Sequence, residues 1–387
     1  HLNTFSKKVL PPDSPREALV SRFLSNIYEE AGHMLVNKPT ARDTGLTWYN
    51  EDMKEFESKI KVLLPELKNE NNKKLFLSIL AITSSGQNPN QNLMYTYNLW
   101  NNSKNPLDFD FSKNWGERKQ SFINKKGKSL ASGVIVNETK TKYKVELVDA
   151  MGEVVKDRKG NPKTVDIKKS SLKEGFPKST GYTNRGNVVI LQLEKLEALK
   201  KKLGSIDAVA KWLETPHPIA ELREFNQSVP DVNGKGPGET NEKYDPSKNA
   251  EGERNGAFIL GEKIGSFYQN MIGIGETITM DLWWSRTWNR YMGTMINTVD
   301  GKDAIQDTPR GDRERSIMRE AVTTAANELG LEVSELQAVI WYFEQELWTK
   351  AGVSSPSYSY VTAVNSLTNN LKLTDEQKSE LQRAEAD

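Results

Sequence analysis

The alternation of apolar and polar positions reads as helix over most of the chain. Ala18, Leu19, Phe23, Leu24 and Ile27 recur at helical spacing and predict an amphipathic helix over residues 16–36. Asp43-Thr44-Gly45-Leu46-Thr47-Trp48-Tyr49 predicts a turn whose aromatic residues lead into a second helix, residues 50–66. Lys73–Thr83 is strongly apolar, and the break Ser84-Ser85-Gly86-Gln87-Asn88-Pro89 separates it from a helix at 90–100. The pattern then changes period. Gly133–Val136, Lys142–Val148, Glu153–Val155 and Lys163–Ile167 are short β-type runs between Gly, Asn and Asp turns, which predicts a small inserted barrel, SH3-like in size and strand count.

Helical periodicity returns at 188–203, 206–214 and 218–225, and residues 226–256 carry almost no apolar side chains, as expected of a long flexible loop. Helices follow at 264–272, from Asp281 onward, at 313–329 and at 334–351, with a polar connector near 298–312. The tail from Ser354 is polar and ends in a helix opened by the Thr374-Asp375-Glu376-Gln377 cap. The expected fold class is mainly α with one β island. Its segments are a helical lobe (1–112), a basic barrel (113–180), a helical continuation (181–225), a polar loop (226–256), a core with C-terminal helices (257–353) and a polar tail (354–387).

Composition narrows the chemistry. Hydrophobic residues make up 36% of the 387, which predicts a modest core with polar excursions. No run approaches the length that spans a bilayer and no leader pattern opens the chain, so the expectation is a soluble protein with no membrane partner, cytoplasmic or virion-associated. The start at His1 without methionine suggests a processed product or a domain of something longer. With no cysteine there is no disulfide, thiolate metal site or cysteine nucleophile, and His1, His33 and His217 are too scattered for a histidine metal site or a triad. No metal or cofactor is expected. Carboxylate, lysine, hydroxyl and aromatic chemistry remain. Charge is uneven: between Lys113 and Phe176 there are 16 Lys and Arg against 8 Asp and Glu, although the whole chain carries a net charge of +1. A basic segment in a neutral chain fits contact with nucleic-acid phosphates, and equally the solvated surface of a small β module.

The stretch with most chemistry is Leu260-Gly261-Glu262-Lys263, followed eighteen positions after the lysine by Asp281, which opens the aromatic helix Leu282-Trp283-Trp284-Ser285-Arg286. A carboxylate beside a sugar can stabilise positive charge and accept a proton from water, and a lysine can attack the same carbon. Gly261 and Gly265 allow a phosphate close to backbone N–H groups. Plainer roles fit the same residues: Asp281 as an N-cap, Lys263 as a first-turn surface residue, Trp283, Trp284, Trp288 and Tyr291 as core, Arg286 as a partner for a carboxylate or phosphate.

These residues, in this order, resemble the helix-hairpin-helix DNA glycosylase superfamily. There a Leu-Pro-Gly-x-Gly hairpin precedes a lysine, an apolar helix, a Gly turn and Val-Asp-x-x-x-x-Arg. Here the counterparts are Leu260–Lys263, Ile264–Ile272, Gly273 with Gly275, and Met280-Asp281 with Arg286. The earlier Leu80-Ala81-Ile82-Thr83-Ser84-Ser85, with Asn92 beyond, resembles the family's first active-site segment. The hairpin's first glycine and its proline are absent, and Ser85-Gly86 stand where a glutamine would fill the gap in the duplex. The resemblance implies a two-lobed helical domain interrupted by the barrel. It places Asp281 as the catalytic carboxylate and Lys263 as the Schiff-base lysine, with Gly261, Gly265, Arg286, Trp283, Trp284, Ser84, Ser85 and Asn92 toward DNA. Gln87 and Asn92 could read a base edge or cap a helix. Two alternatives stay open: a DNA-binding module without chemistry, and a structural domain of a phage-type polyprotein or a virion partner.

Overall fold

Fourteen helices and a small curled antiparallel sheet dominate the residues described by the computed structural model. These are 9–84, 87–101, 120–147, 155–174, 178–179, 186–229, 252–274, 277–299, 302–352 and 359–384. The helices are α1 (Arg16–Asn37), α2 (Pro39–Thr47), α3 (Glu51–Leu63), α4 (Glu70–Thr83), α5 (Pro89–Asn101), α6 (Gly186–Leu203), α7 (Ile206–Glu214) and α8 (Ile219–Ser228). They continue as α9 (Glu262–Met271), α10 (Leu282–Met292), α11 (Asp312–Leu329), α12 (Val333–Lys350), α13 (Tyr360–Asn370) and α14 (Asp375–Ala384). The strands are β1 (Gln120–Ile123), β2 (Ser129–Glu138), β3 (Lys142–Leu147), β4 (Thr164–Lys168), β5 (Lys178–Ser179), β6 (Pro216–Pro218), β7 (Glu253–Asn255), β8 (Ile296–Val299) and β9 (Lys302–Ile305). No helix among the described residues is long and apolar enough to cross a membrane.

Four sequence expectations need correction. Asp43–Thr47 is the end of helix α2, not a turn: Pro39 starts the helix, and Gly45 is there because its Cα approaches α12, where an added Cβ would lie 2.8 Å from the Val339 Cα. The polar connector near 298–312 contains the β8–β9 hairpin, which is held by backbone pairing and by the Thr298 hydroxyl donating to Asp303 at 2.8 Å. At the end of the polar stretch 226–256, β7 pairs with β6, with His217 opposite Arg254; residues 230–251 lie outside the described set, as do Val148, Glu153 and Val154. The tail is not uniformly polar either. Tyr360, Ala363, Val364 and Leu367 are buried at helical spacing along α13.

The chain divides into two compact units built from discontinuous stretches. One combines residues 1–59, 261–361 and 378–387; the other combines 60–260 and 362–377. Helix α1 therefore belongs with the C-terminal helices and not with residues 60–104, its neighbours in sequence.

In the first unit, α10 presents Trp284, Trp288 and Tyr291 on one stripe to Phe23 of α1, with ring centroids 5.6, 5.3 and 5.6 Å away. Ile317, Met318 and Ala321 of α11 and Leu336 and Ile340 of α12 complete this core. Each large apolar side chain buried there contributes roughly 1.5–3 kcal/mol. A buried ionic cluster crosses the same helices. The Arg290 guanidinium bonds both oxygens of Glu30 and also Glu344 Oε2, at 3.0 Å through Nε and 2.7 Å through a terminal nitrogen. The Tyr291 hydroxyl donates to Glu30 at 2.6 Å and the Thr287 hydroxyl to Glu344 at 3.0 Å.

In the second unit, α4 buries Leu75 through Ile82 on every side, as a helix apolar all round must. Asn69 caps it by accepting from the N–H groups of Asn71 and Asn72. Lys195 of α6 is 8% exposed and donates at 2.6 Å to the carbonyl of Ile259; burial pulls its amine down to about 8. The five-stranded sheet, in the order β4-β3-β2-β1-β5, closes over its own small core of Phe122, Ala131, Val145, Ile167 and Leu172.

Candidate functional site

Helix α9 begins after Gly261, whose φ of +89° is a conformation glycine adopts at little cost. The chain then turns at Gly273, φ +73°, and re-enters helix at α10. This helix–turn–helix sets Lys263 in the first turn of α9 and Asp281 at the start of α10, and the lysine charge is among the causes acting on the aspartate. Asp281 is the N-cap of α10, its Oδ1 accepting from the Trp284 N–H at 2.8 Å, and its backbone carbonyl accepts from the Ser285 hydroxyl. Burial pushes its carboxyl above the ordinary carboxylate range. Lys263, the Trp284 and Trp283 N–H groups and Arg286 pull it back down, and burial prevails.

Sequence reading did not find the residues that surround Asp281. The Tyr49 hydroxyl hydrogen-bonds the side chains of Thr279 and Asn270, and burial, with Asp281 adding to it, holds the phenol well above its usual value. Gln337 of α12 clamps the approach to α10, accepting from the Thr279 N–H at 2.8 Å and donating to the Thr279 carbonyl at 2.5 Å. Asn270 Oδ1 is buried with no hydrogen-bond partner. Tyr49 and Gln337 lie more than 50 positions from Thr279 in sequence, so only folding reveals them. Asn270 sits on the polar side of α9, which is a local signal.

The expected contact residues separate into distinct environments. Trp284 is 3% exposed and packs on Phe23, so it is a core residue and presents no face to a ligand, although its indole N–H is buried without a partner. Trp283, one position earlier and turned about 100° around the helix, keeps partial exposure. Arg286 lies between Trp283 and Trp348, 4.9 and 4.3 Å from their ring centres, and its Nε bonds Asp307 at 3.0 Å, so its carboxylate is Asp307. Gly265 sits inside α9 and donates its N–H to the Gly261 carbonyl at 2.8 Å, which leaves that N–H no reach toward a phosphate.

The second segment belongs to the other unit. Ser84 ends α4 and donates to the Ala81 carbonyl at 2.7 Å. Asn92 is 1% exposed and accepts from the Thr83 hydroxyl at 2.6 Å, while Thr83 also meets Thr96 at 2.7 Å, so this asparagine ties α4 to α5 from inside the core. It does not offer an edge to a base. Asn88 is the residue that caps α5, accepting from Gln91. Ser85 and Gly275 lie outside the described residues.

Among the described residues there is no cluster of His, Asp and Glu arranged to hold a metal ion. No protein-family profile, curated protein or solved structure matches the chain.

Proposed function

We propose that this chain is a DNA glycosylase-like protein that takes a nucleotide out of the helical stack and releases its base. The single observation that carries the reading is the Lys263–Asp281 pair. A lysine in the first turn of one helix and a carboxylate at the N-cap of the next stand on either side of a glycine turn, and the lysine charge favours the carboxylate's ionised form. In this reading the bond between the base and C1′ breaks, the base leaves with the electron pair, and Asp281 stabilises the cationic sugar. Water adds to C1′ and gives its proton to the carboxylate. Lys263 assists electrostatically, or attacks C1′ itself and forms a Schiff base.

The same reading takes the helical part as a helix-hairpin-helix glycosylase fold and the five-stranded module as an SH3-like barrel. Support for the latter is the strand order together with the short helical turn Lys169–Ser171 before the last strand. Asp281→Asn should abolish base release from duplexes carrying modified or mismatched bases while leaving duplex binding in place; undiminished release would remove Asp281 from the mechanism. Borohydride trapping on abasic DNA, lost in Lys263→Gln, would assign the covalent role.

A second reading is a DNA-binding module without chemistry. It is favoured by the work Asp281 already does as a helix cap and by the pairing of Arg286 with Asp307. Salt-dependent binding with no abasic product on any substrate would select it.

A further inference from the structure

We infer that the outer face of β3 and β4 in the five-stranded module is a binding surface for the phosphodiester backbone of nucleic acid, read without regard to sequence. The described residues of the module, 120–147, 155–174 and 178–179, hold 14 Lys and Arg against 5 Asp and Glu. Alternation along the strands decides where these charges go. Tyr143, Val145, Val165 and Ile167 turn inward to the small core, so Lys142, Lys144 and Lys168 point outward, and all three are exposed.

Lys142 and Lys168 are direct register partners across the two strands. Two like charges placed opposite each other work against the sheet, so this arrangement has no structural return. The acids nearby do little to cancel it. Asp166 stands opposite Lys144 in register and reaches Lys142 at 3.8 Å, so one exposed carboxylate is shared between two lysines, and Glu138 is taken up by Lys169 at 2.5 Å, whose ammonium also sits 4.7 Å over the Tyr143 ring. Glu146 stands at the far end of the same row, opposite Thr164 and away from the Lys142–Lys168 pair. Lys140, exposed on the β2–β3 turn, extends the row, and that turn is fixed by three hydrogen bonds between Thr139 and Lys142. Lys142 and Lys144 stand at alternate positions of β3, about 6.6–6.8 Å apart, and the module's excess of cations over acids makes an anionic backbone the complementary partner. An extended acidic peptide offers the same interval, so polyglutamate is the competitor in the titration.

This surface is separate from Asp281, and its test involves no chemistry. The full chain is titrated against labelled duplexes of two unrelated sequences, and against a single strand, over a series of potassium chloride concentrations. Binding should weaken with salt at a log–log slope of about −0.9 per phosphate neutralised on duplex. Lys142→Gln, Lys144→Gln and Lys168→Gln should each reduce that slope by about 1 and weaken both duplexes alike. Lys54→Gln, an exposed lysine in the other unit, should leave the slope unchanged. Melting temperatures equal to or above that of the parent chain would show that the variants remain folded. An unchanged slope in all three variants, an equal effect of Lys54→Gln, or tighter binding to polyglutamate than to duplex would each overturn the assignment. Loss of base release in Asp281→Asn with the salt slope intact would leave this inference standing and concern the other site alone.

Discussion

Asp281 serves two masters, and their demands differ. As an N-cap it needs only an oxygen, which asparagine supplies equally well. As a carboxylate it is held protonated more readily in the folded chain than in the unfolded one, because burial outweighs its cationic neighbours. Its contribution to stability is therefore full below the ordinary carboxylate value and lost as pH rises through the raised one. Denaturant unfolding across acid to neutral pH should show Asp281→Asn as stable as the parent or more so at neutral pH, with a flatter profile. Asp281→Ala, which loses the cap, should cost about 0.5–2 kcal/mol. Lys195 titrates in the opposite sense: with its amine lowered to about 8, stability should rise from that pH toward the ordinary lysine value, a rise that Lys195→Met removes. Sequence alone marked Asp281 and Lys263 as chemically interesting and left cap and catalyst open. It did not reveal Tyr49, Gln337 or Asp307, since those partners come from distant segments. Trp283 and Trp284 were indistinguishable beforehand, because which of two adjacent helical residues faces inward depends on what lies opposite.

Helices were the most legible elements, since their apolar spacing is a property of the chain itself. α1, α4, α7 and α11 fall close to where periodicity put them, and the reciprocal cap between Thr374 and Gln377 is present. The misses have different causes: α2 contains a glycine required by its neighbour, and β8–β9 is held by backbone and polar contacts that leave no hydrophobic alternation. Gly45→Ala should accordingly force α2 off α12 and cost about 1–3 kcal/mol in unfolding free energy. The cluster around Arg290 makes a stronger prediction. Arg290→Ala leaves Glu30 and Glu344 buried without their counter-charge and should cost about 3–5 kcal/mol. Replacing all three by apolar residues of similar volume should restore most of that loss, as measured by the same unfolding titration.

At the level of the whole molecule, the five-stranded module has a core that, among the described residues, draws on no helix. Excision of residues 113–180 with a flexible linker in their place should leave the helical circular dichroism of the remaining residues intact, and a collapse of that signal would contradict the separation. The discontinuity of the first unit has a consequence for biosynthesis. Glu30 and Arg290 are 260 positions apart, so α1 leaves the ribosome long before α10, its partner, has been made. At a synthesis rate of about 5–20 residues per second, Phe23 and Glu30 wait on the order of 10–50 s without the groups that cover them. During that interval the nascent chain carries an amphipathic helix that can meet α2 but not α10, α11 or α12, and the intervening segment, residues 60–260, is complete first.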